Sequence, residues 1–238
     1  SGLSASPAWS AAGGQTGANF GWSAAHGDVN GDGYADVVVG APDWDNPQVD
    51  EGAAILFYGS ASGLSPVAAN GWEGNQDNAS GGFSVAMSDV NGDGYSDIIS
   101  GVPLFDNGQA NEGMIQVFFG GPDPLGPSAS QIIEGNSVGA KFGIGVASAG
   151  DVNSDGYGDV IVGASGYSNG ESQEGRVYLL VGSPGGLHPG AAFTYEPNQT
   201  NAYFGEWVSG IGDINADGYA DFADRWNPVL DVFDAAGV

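Results

Sequence analysis

The sequence predicts an all-β protein made of four copies of one strand-rich unit, and three observations carry that reading. A nine-residue acidic loop spanning 28–36 returns at 89–97, 151–159 and 213–221, at steps of 61, 62 and 62 residues. Each of the first three loops runs into a short β-branched stretch: Val37-Val38-Val39, Ile98-Ile99 and Val160-Ile161-Val162. Glycine accounts for 44 of the 238 residues without a three-residue period, which excludes collagen and marks many tight turns between short strands.

Other landmarks keep the same step. Leu3, Leu64, Leu125 and Leu187 open the units, Phe20, Phe83, Phe142 and Phe204 precede the loops, and Glu51-Gly52, Glu112-Gly113 and Glu174-Gly175 follow them. Within a unit the order is an outer stretch containing Trp9 or Trp72, then a small-residue strand beginning at the Phe, as in Phe83-Ser84-Val85-Ala86-Met87. The acidic loop, the β-branched strand and a last strand such as Ala54-Ile55-Leu56-Phe57-Tyr58 follow. No helical period of useful length occurs. Four strands in about 60 residues is the size of a propeller blade, and radial repetition protects sheet edges. The expected fold is therefore a β-propeller with four-stranded blades, one domain over 1–238, with repeats near 1–59, 60–121, 122–182 and an irregular 183–238. The chain opens on the outer stretch, as a ring requires if its N-terminal strand completes the last blade.

The charge narrows the function. Asp and Glu number 29 against three basic residues, Lys141, Arg176 and Arg225, for a formal net charge of −26. Such a surface repels phosphate backbones and anionic membranes, so nucleic acid and membrane insertion are excluded as partners. Cations are its natural partners, since uncompensated like charge destabilises a compact state. There is no cysteine, which removes disulfides and thiolate chemistry. No apolar run is long enough to span a bilayer, and the N-terminal residues lack the pattern of a signal peptide.

The loops are the expected cation sites. Each places Asp, Asn, Asp and Asp at positions 1, 3, 5 and 9, with glycine at 6 and tyrosine at 7, whose backbone carbonyl is the expected donor. The residues are Asp28, Asn30, Asp32, Tyr34 and Asp36; Asp89, Asn91, Asp93, Tyr95 and Asp97; Asp151, Asn153, Asp155, Tyr157 and Asp159; and Asp213, Asn215, Asp217, Tyr219 and Asp221. An all-oxygen set with three carboxylates suits Ca²⁺ better than Mg²⁺, and the lack of His and Cys disfavours zinc and copper. An EF-hand would need Glu at position 12, occupied here by Val39, Ser100, Val162 and Asp224, and flanking helices. About four structural Ca²⁺ ions are expected.

Together these residues resemble FG-GAP repeats, the units of the integrin α-subunit propeller and of bacterial integrin-like propellers. The FG element is Phe20-Gly21, Phe142-Gly143 and Phe204-Gly205, with Gly82-Phe83-Ser84 as a variant; the GAP element is Gly40-Ala41-Pro42, altered to Gly101-Val102-Pro103 and Gly163-Ala164-Ser165. The resemblance implies structural Ca²⁺ in a loop joining the first two strands of each blade. Two features depart from the family. Its rings have seven blades, whereas this chain has four repeats. In the fourth, Arg225 replaces the GAP glycine and Gly237 falls where Gly175 does, leaving Val229–Phe233, after an Asn227-Pro228 turn, to serve as the last strand. A small closed ring, a piece of a larger propeller, and a homo-oligomer completing one ring all remain open.

No catalytic motif is present, and His26 and His188 are the only histidines; the chain is not expected to be an enzyme. Trp9, Trp22 and Trp72 either pack between blades or stack on sugars. The expected function is a Ca²⁺-stabilised extracellular or cell-surface recognition and adhesion module with an unidentified protein or glycan ligand. The alternatives are a carbohydrate-binding propeller and an accessory domain of a larger secreted protein.

Overall fold

The computed structural model describes residues 6–226 and 229–235, and every named element is a β-strand. Blade 1 holds β1 (Ala24–Gly27), β2 (Asp36–Ala41), β3 (Ala53–Phe57) and β4 (Asn70–Glu73). Blade 2 holds β5 (Val85–Ser88), β6 (Asp97–Val102), β7 (Met114–Phe118) and β8 (Gln131–Glu134). Blade 3 holds β9 (Phe142–Gly150), β10 (Asp159–Ala164), β11 (Arg176–Leu180) and β12 (Phe193–Tyr195). Each is an antiparallel meander with its strands in chain order. Blade 4 has three strands, β13 (Trp207–Gly212), β14 (Asp221–Trp226) and β15 (Val229–Phe233), and no fourth is paired to it among the described residues. The fold is that of propeller blades.

The β-branched runs become the second strand of each blade because both faces of that strand are covered. A sheet sandwiched on both sides reads as a continuous apolar run rather than an alternating one. Val38, Ile99 and Ile161 face the following blade, whereas Ile98, Val160 and Phe222 face the preceding one. Burying one such side chain contributes about 1.5–3 kcal/mol, so the blade-to-blade seams are the cores of the molecule. Inner strands succeed one another, β1 beside β5, β5 beside β9, and β9 beside β13; β1 and β13 do not pack together in this way.

Trp72 packs between blades 1 and 2, and Trp9 packs on blade 1 in the matching way. Trp72 stacks on Phe118 with ring centroids 4.4 Å apart and donates its indole N–H to the Gly126 carbonyl at 2.8 Å. Trp9 meets Phe57 edge-on at 5.3 Å and donates to the Ser65 carbonyl at 3.1 Å. Since 57 and 118, and 65 and 126, are one repeat apart, the N-terminal segment stands on blade 1 where a preceding blade's outer strand would stand. Leu3, Asn227, Pro228 and Gly237 lie outside the described residues.

The alignment of the FG element in repeat 2 is corrected. The parallel bridges Gly113 to Phe142 and Gly175 to Phe204 recur in repeat 2 as Gly52 to Gly81, so Gly81, not Phe83, occupies the aromatic position. Gly82 then matches Gly21, and its N–H bonds the Ser100 hydroxyl at 3.2 Å. Position 82 requires glycine as positions 143 and 205 do, since a Cβ there would lie 2.2 Å from the Ala53 carbonyl oxygen. Phe83 lies two residues on, 5.4 Å from the Trp22 ring.

Candidate cation loops and central groove

The four acidic loops fold alike. In the first, Asp28 turns inward and accepts backbone N–H bonds from Gly31 (2.7 Å), Asp32 (3.2 Å) and Gly33 (2.8 Å). The Asn30 amide donates to Asp32, and Asp32 in turn accepts from Tyr34 N–H at 2.9 Å. Position 6 needs glycine, since Gly33, Gly94, Gly156 and Gly218 all have φ between 85° and 97°, the left-handed region closed to most side chains. The same curl repeats around Asp89, Asp151 and Asp213.

Position 9 does a second job that the spacing alone did not reveal. Asp36 is buried; one oxygen accepts Val29 N–H at 2.9 Å and the other Gly59 N–H at 2.7 Å. Asp97, Asp159 and Asp221 repeat this staple between the loop and the end of the blade's third strand. Burial pushes Asp97 up to about 7 and Asp159 up to about 6, tempered by these N–H bonds.

The structure thus brings positions 1, 3 and 5 of each loop together at the exposed end of a blade and sets position 9 behind them. Among the described residues no three acidic or histidine side chains form a finished metal cage, because the carboxylates are turned onto the N–H groups of their own loop. The donor chemistry still fits a hard cation: three carboxylates and an amide per loop, no Lys or Arg within it, and spare lone pairs on every carboxylate oxygen.

Successive loops are linked. Ser96 N–H donates to the Asp28 carbonyl at 2.8 Å, Gly158 N–H to Asp89 at 2.7 Å, and Ala220 N–H to Asp151 at 3.3 Å. The Tyr95 ring covers Gly31 so closely that a Cβ there would sit 2.4 Å from it, and Tyr157 covers Gly92 in the same way. Each of the first three loops is therefore tied to the next, and the first two are also covered by its tyrosine.

Away from the loops, a groove of about 510 Å³ is lined by the starts of all four inner strands, including Trp22, Phe83, Ile144 and Trp207, with Glu206 at its edge. Trp22 and Trp207 are more than half exposed. His26 is exposed on β1, and no helix is long and apolar enough to cross a membrane among the described residues.

The FG-GAP repeat family model matches residues 20–57, 81–118 and 142–180, which places the second repeat in the register that Gly81 gives. The chain is an FG-GAP repeat protein. It is 30% identical to integrin alpha-5 of Xenopus laevis, 33% to integrin alpha-IIb of Homo sapiens and 32% to integrin alpha-V of Gallus gallus, each over 85% of this chain and 19% of the relative. The chain spans about a fifth of the length of these relatives. The three matched FG-GAP repeats coincide with blades 1 to 3; blade 4 lies outside the matched residues.

Proposed function

We propose that this FG-GAP array is a Ca²⁺-stabilised, non-enzymatic recognition and adhesion module of the extracellular space or cell surface, residues 1–238 acting as one propeller domain or part of one. The observation that carries the reading is the fourfold recurrence of one acidic curl in a chain of net charge −26. In each loop the side chains at positions 1, 3, 5 and 9 and the carbonyl of the tyrosine would hold one ion: Asp28, Asn30, Asp32, Tyr34 and Asp36 in the first, and their equivalents in the others. The ion supplies positive charge; the chain supplies a preformed turn, since the N–H groups of residues 31, 32 and 33 already hold Asp28 in place. Because each of the first three loops bonds the next blade's loop, ordering one of them firms the seam between blades, which is how metal binding would stabilise the fold. Homology to integrin α-subunits supports a recognition role, with a protein ligand as the first candidate.

Removal of calcium with a chelator should lower the thermal midpoint by many degrees, since one site saturated a hundredfold above its Kd contributes about 2.7 kcal/mol. An unchanged midpoint, with no calcium retained after dialysis, would overturn the metal assignment. A glycan ligand is the second reading, favoured by the exposed Trp22 and Trp207 rings beside the groove. Binding on a glycan array that is lost in Trp22→Ala would establish it.

A further inference from the structure

Each of the first three repeats buries a glutamate that belongs to no acidic loop. Glu51, Glu112 and Glu174 are all 0% exposed. In each, one carboxylate oxygen accepts a backbone N–H: from Asn75 at 3.2 Å in blade 1, Asn107 at 2.5 Å in blade 2 and Asn169 at 2.6 Å in blade 3. The other oxygen is buried without a hydrogen-bond partner in all three. A buried acceptor left unmatched costs about 1–3 kcal/mol, more when charged, so a threefold recurrence of the same orphan needs a cause.

The surroundings deepen the deficit of positive charge. An asparagine one turn before each glutamate bonds a second carboxylate: Asn46 to Glu73 at 2.7 Å, Asn107 to Glu134 at 2.8 Å and Asn169 to Glu196 at 3.2 Å. Burial first, and then the charge of Glu73, push Glu51 above the usual carboxylate range, although the backbone N–H groups of Asn46, Asn75 and Gln48 beside it pull the other way. In blades 1 and 2 the residue three before the glutamate, Gln48 or Gln109, also has a buried side-chain oxygen without a partner. Blade 3 differs at two positions. Arg176 stands where blades 1 and 2 have the buried Ala53 and Met114, with its guanidinium on Glu196 and 3.8 Å from the Tyr167 ring. Glu171 stands in place of the glutamine and accepts a hydrogen bond from Thr200.

We propose that blades 1 and 2 each hold a second oxygen-liganded cation of the calcium class, bound by Glu51, Glu73 and Gln48 in blade 1 and by Glu112, Glu134 and Gln109 in blade 2. In blade 3 the Arg176 guanidinium already neutralises Glu196, the second carboxylate of the pair, while Glu174 keeps its unpartnered oxygen; blade 3 therefore has less negative charge to attract a cation. The donors are oxygens only, as hard cations require, and water completes the six to eight ligands. These sites lie at the Glu-Gly turns that open the third strands and are separate from the acidic loops, so they can fail while the loops succeed.

Equilibrium dialysis of the whole chain against radioactive calcium tests this. Glu51→Gln and Glu112→Gln should each bind one ion fewer than the wild type, whereas Glu174→Gln should bind the same number. Asp32→Ala reports separately on a loop. Equal counts for the wild type and both glutamate variants would overturn the proposal, whatever the loop variant does. Should the glutamate variants fail to fold, anomalous diffraction from wild-type crystals grown in calcium decides: an anomalous scatterer beside Glu51 Oε1 supports the site, and the lack of an anomalous peak there refutes it.

Discussion

Blades 1 to 3 and blade 4 share the acidic loop almost letter for letter, yet their surroundings differ sharply. Val29, Val90 and Val152 at loop position 2 are 0% exposed, whereas Ile214 at the same position is 58% exposed. The carbonyls of the first two valines accept hydrogen bonds from the N–H groups of Gly121 and Ser183 in the next repeat. The second strands differ as well. Gly40, Gly101 and Gly163 sit so close to the next repeat's FG loop that a Cβ would lie 2.0, 1.9 and 1.7 Å from the carbonyl oxygens of Gly82, Gly143 and Gly205. The aligned residue of blade 4 is the exposed Arg225. One loop motif therefore serves in two settings, and what separates them is whether a following blade leans on it.

Writing the blade 4 residue into an interior seam should have the largest effect. Gly101→Arg drives a side chain into the Gly143 backbone, which cannot move without parting blades 2 and 3. Overpacking of this kind exceeds the usual 1–3 kcal/mol. The expected outcome is loss of a cooperative thermal transition by circular dichroism; a midpoint within a few degrees of wild type would show that the seam is not the core.

The loops should separate next. Asp93→Ala acts in a loop clamped by Tyr157 and by the Asp89–Gly158 hydrogen bond, whereas the loop of Asp217 is exposed throughout residues 213–218. A pre-ordered loop loses less entropy on binding an ion. Asp93→Ala should therefore lower the midpoint in calcium by several degrees and Asp217→Ala by about a third as much, with the fourth loop the last to fill in a calcium titration. Equal losses would erase the distinction between the two settings.

A subtler difference lies in Asp224, where blades 1 to 3 have Val39, Ser100 and Val162. Burial, and after it the charges of Asp231 and Glu206, push Asp224 up to about 7 despite the N–H bond from Gly205. The folded state then binds this proton more tightly than the unfolded chain, whose aspartate titrates near 3.9. The contribution to stability is full below about pH 4 and is lost as pH rises through 7. Asp224→Ser copies Ser100, which accepts the Gly82 N–H without a charge. It should raise the midpoint at pH 8, leave it nearly unchanged at pH 4, and flatten the profile between them. A wild-type slope retained in the variant would assign the titration elsewhere.

The repeat step and the apolar runs made the blades and the loops legible from sequence, because both are periodic and local. Val229–Phe233 was legible as the last strand only as a short apolar run, since it breaks the repeat step. Three features were not. Phe83 stood two residues out of register because the bridge that defines its position joins Gly52 to Gly81 across the seam, a contact between repeats that no spacing within one repeat encodes. The second role of Asp36 depends on Gly59, 23 residues away. The buried glutamates recur as plainly as the loops, but their meaning rests on an oxygen without a partner, which only coordinates reveal.

Arg225→Gly should have the smallest effect on stability and the most informative effect on association. Arg225 is exposed, its guanidinium 5.9 Å from the Trp207 ring, so its removal should change the midpoint by no more than about 0.5 kcal/mol equivalent. In the interior seams, however, a glycine at this position is what lets a neighbouring FG loop reach the strand. With Arg225 in place, a blade stacked on blade 4 in the manner of blades 2, 3 and 4 meets a side chain where only a hydrogen atom fits. Sedimentation should therefore show Arg225→Gly associating at concentrations where the wild type does not, through the exposed side of β13 and the end of β14 at residue 225. If the variant sediments as the wild type does, the fourth blade's edge is closed by something other than this arginine, and its departure from the glycine rule is not what sets it apart.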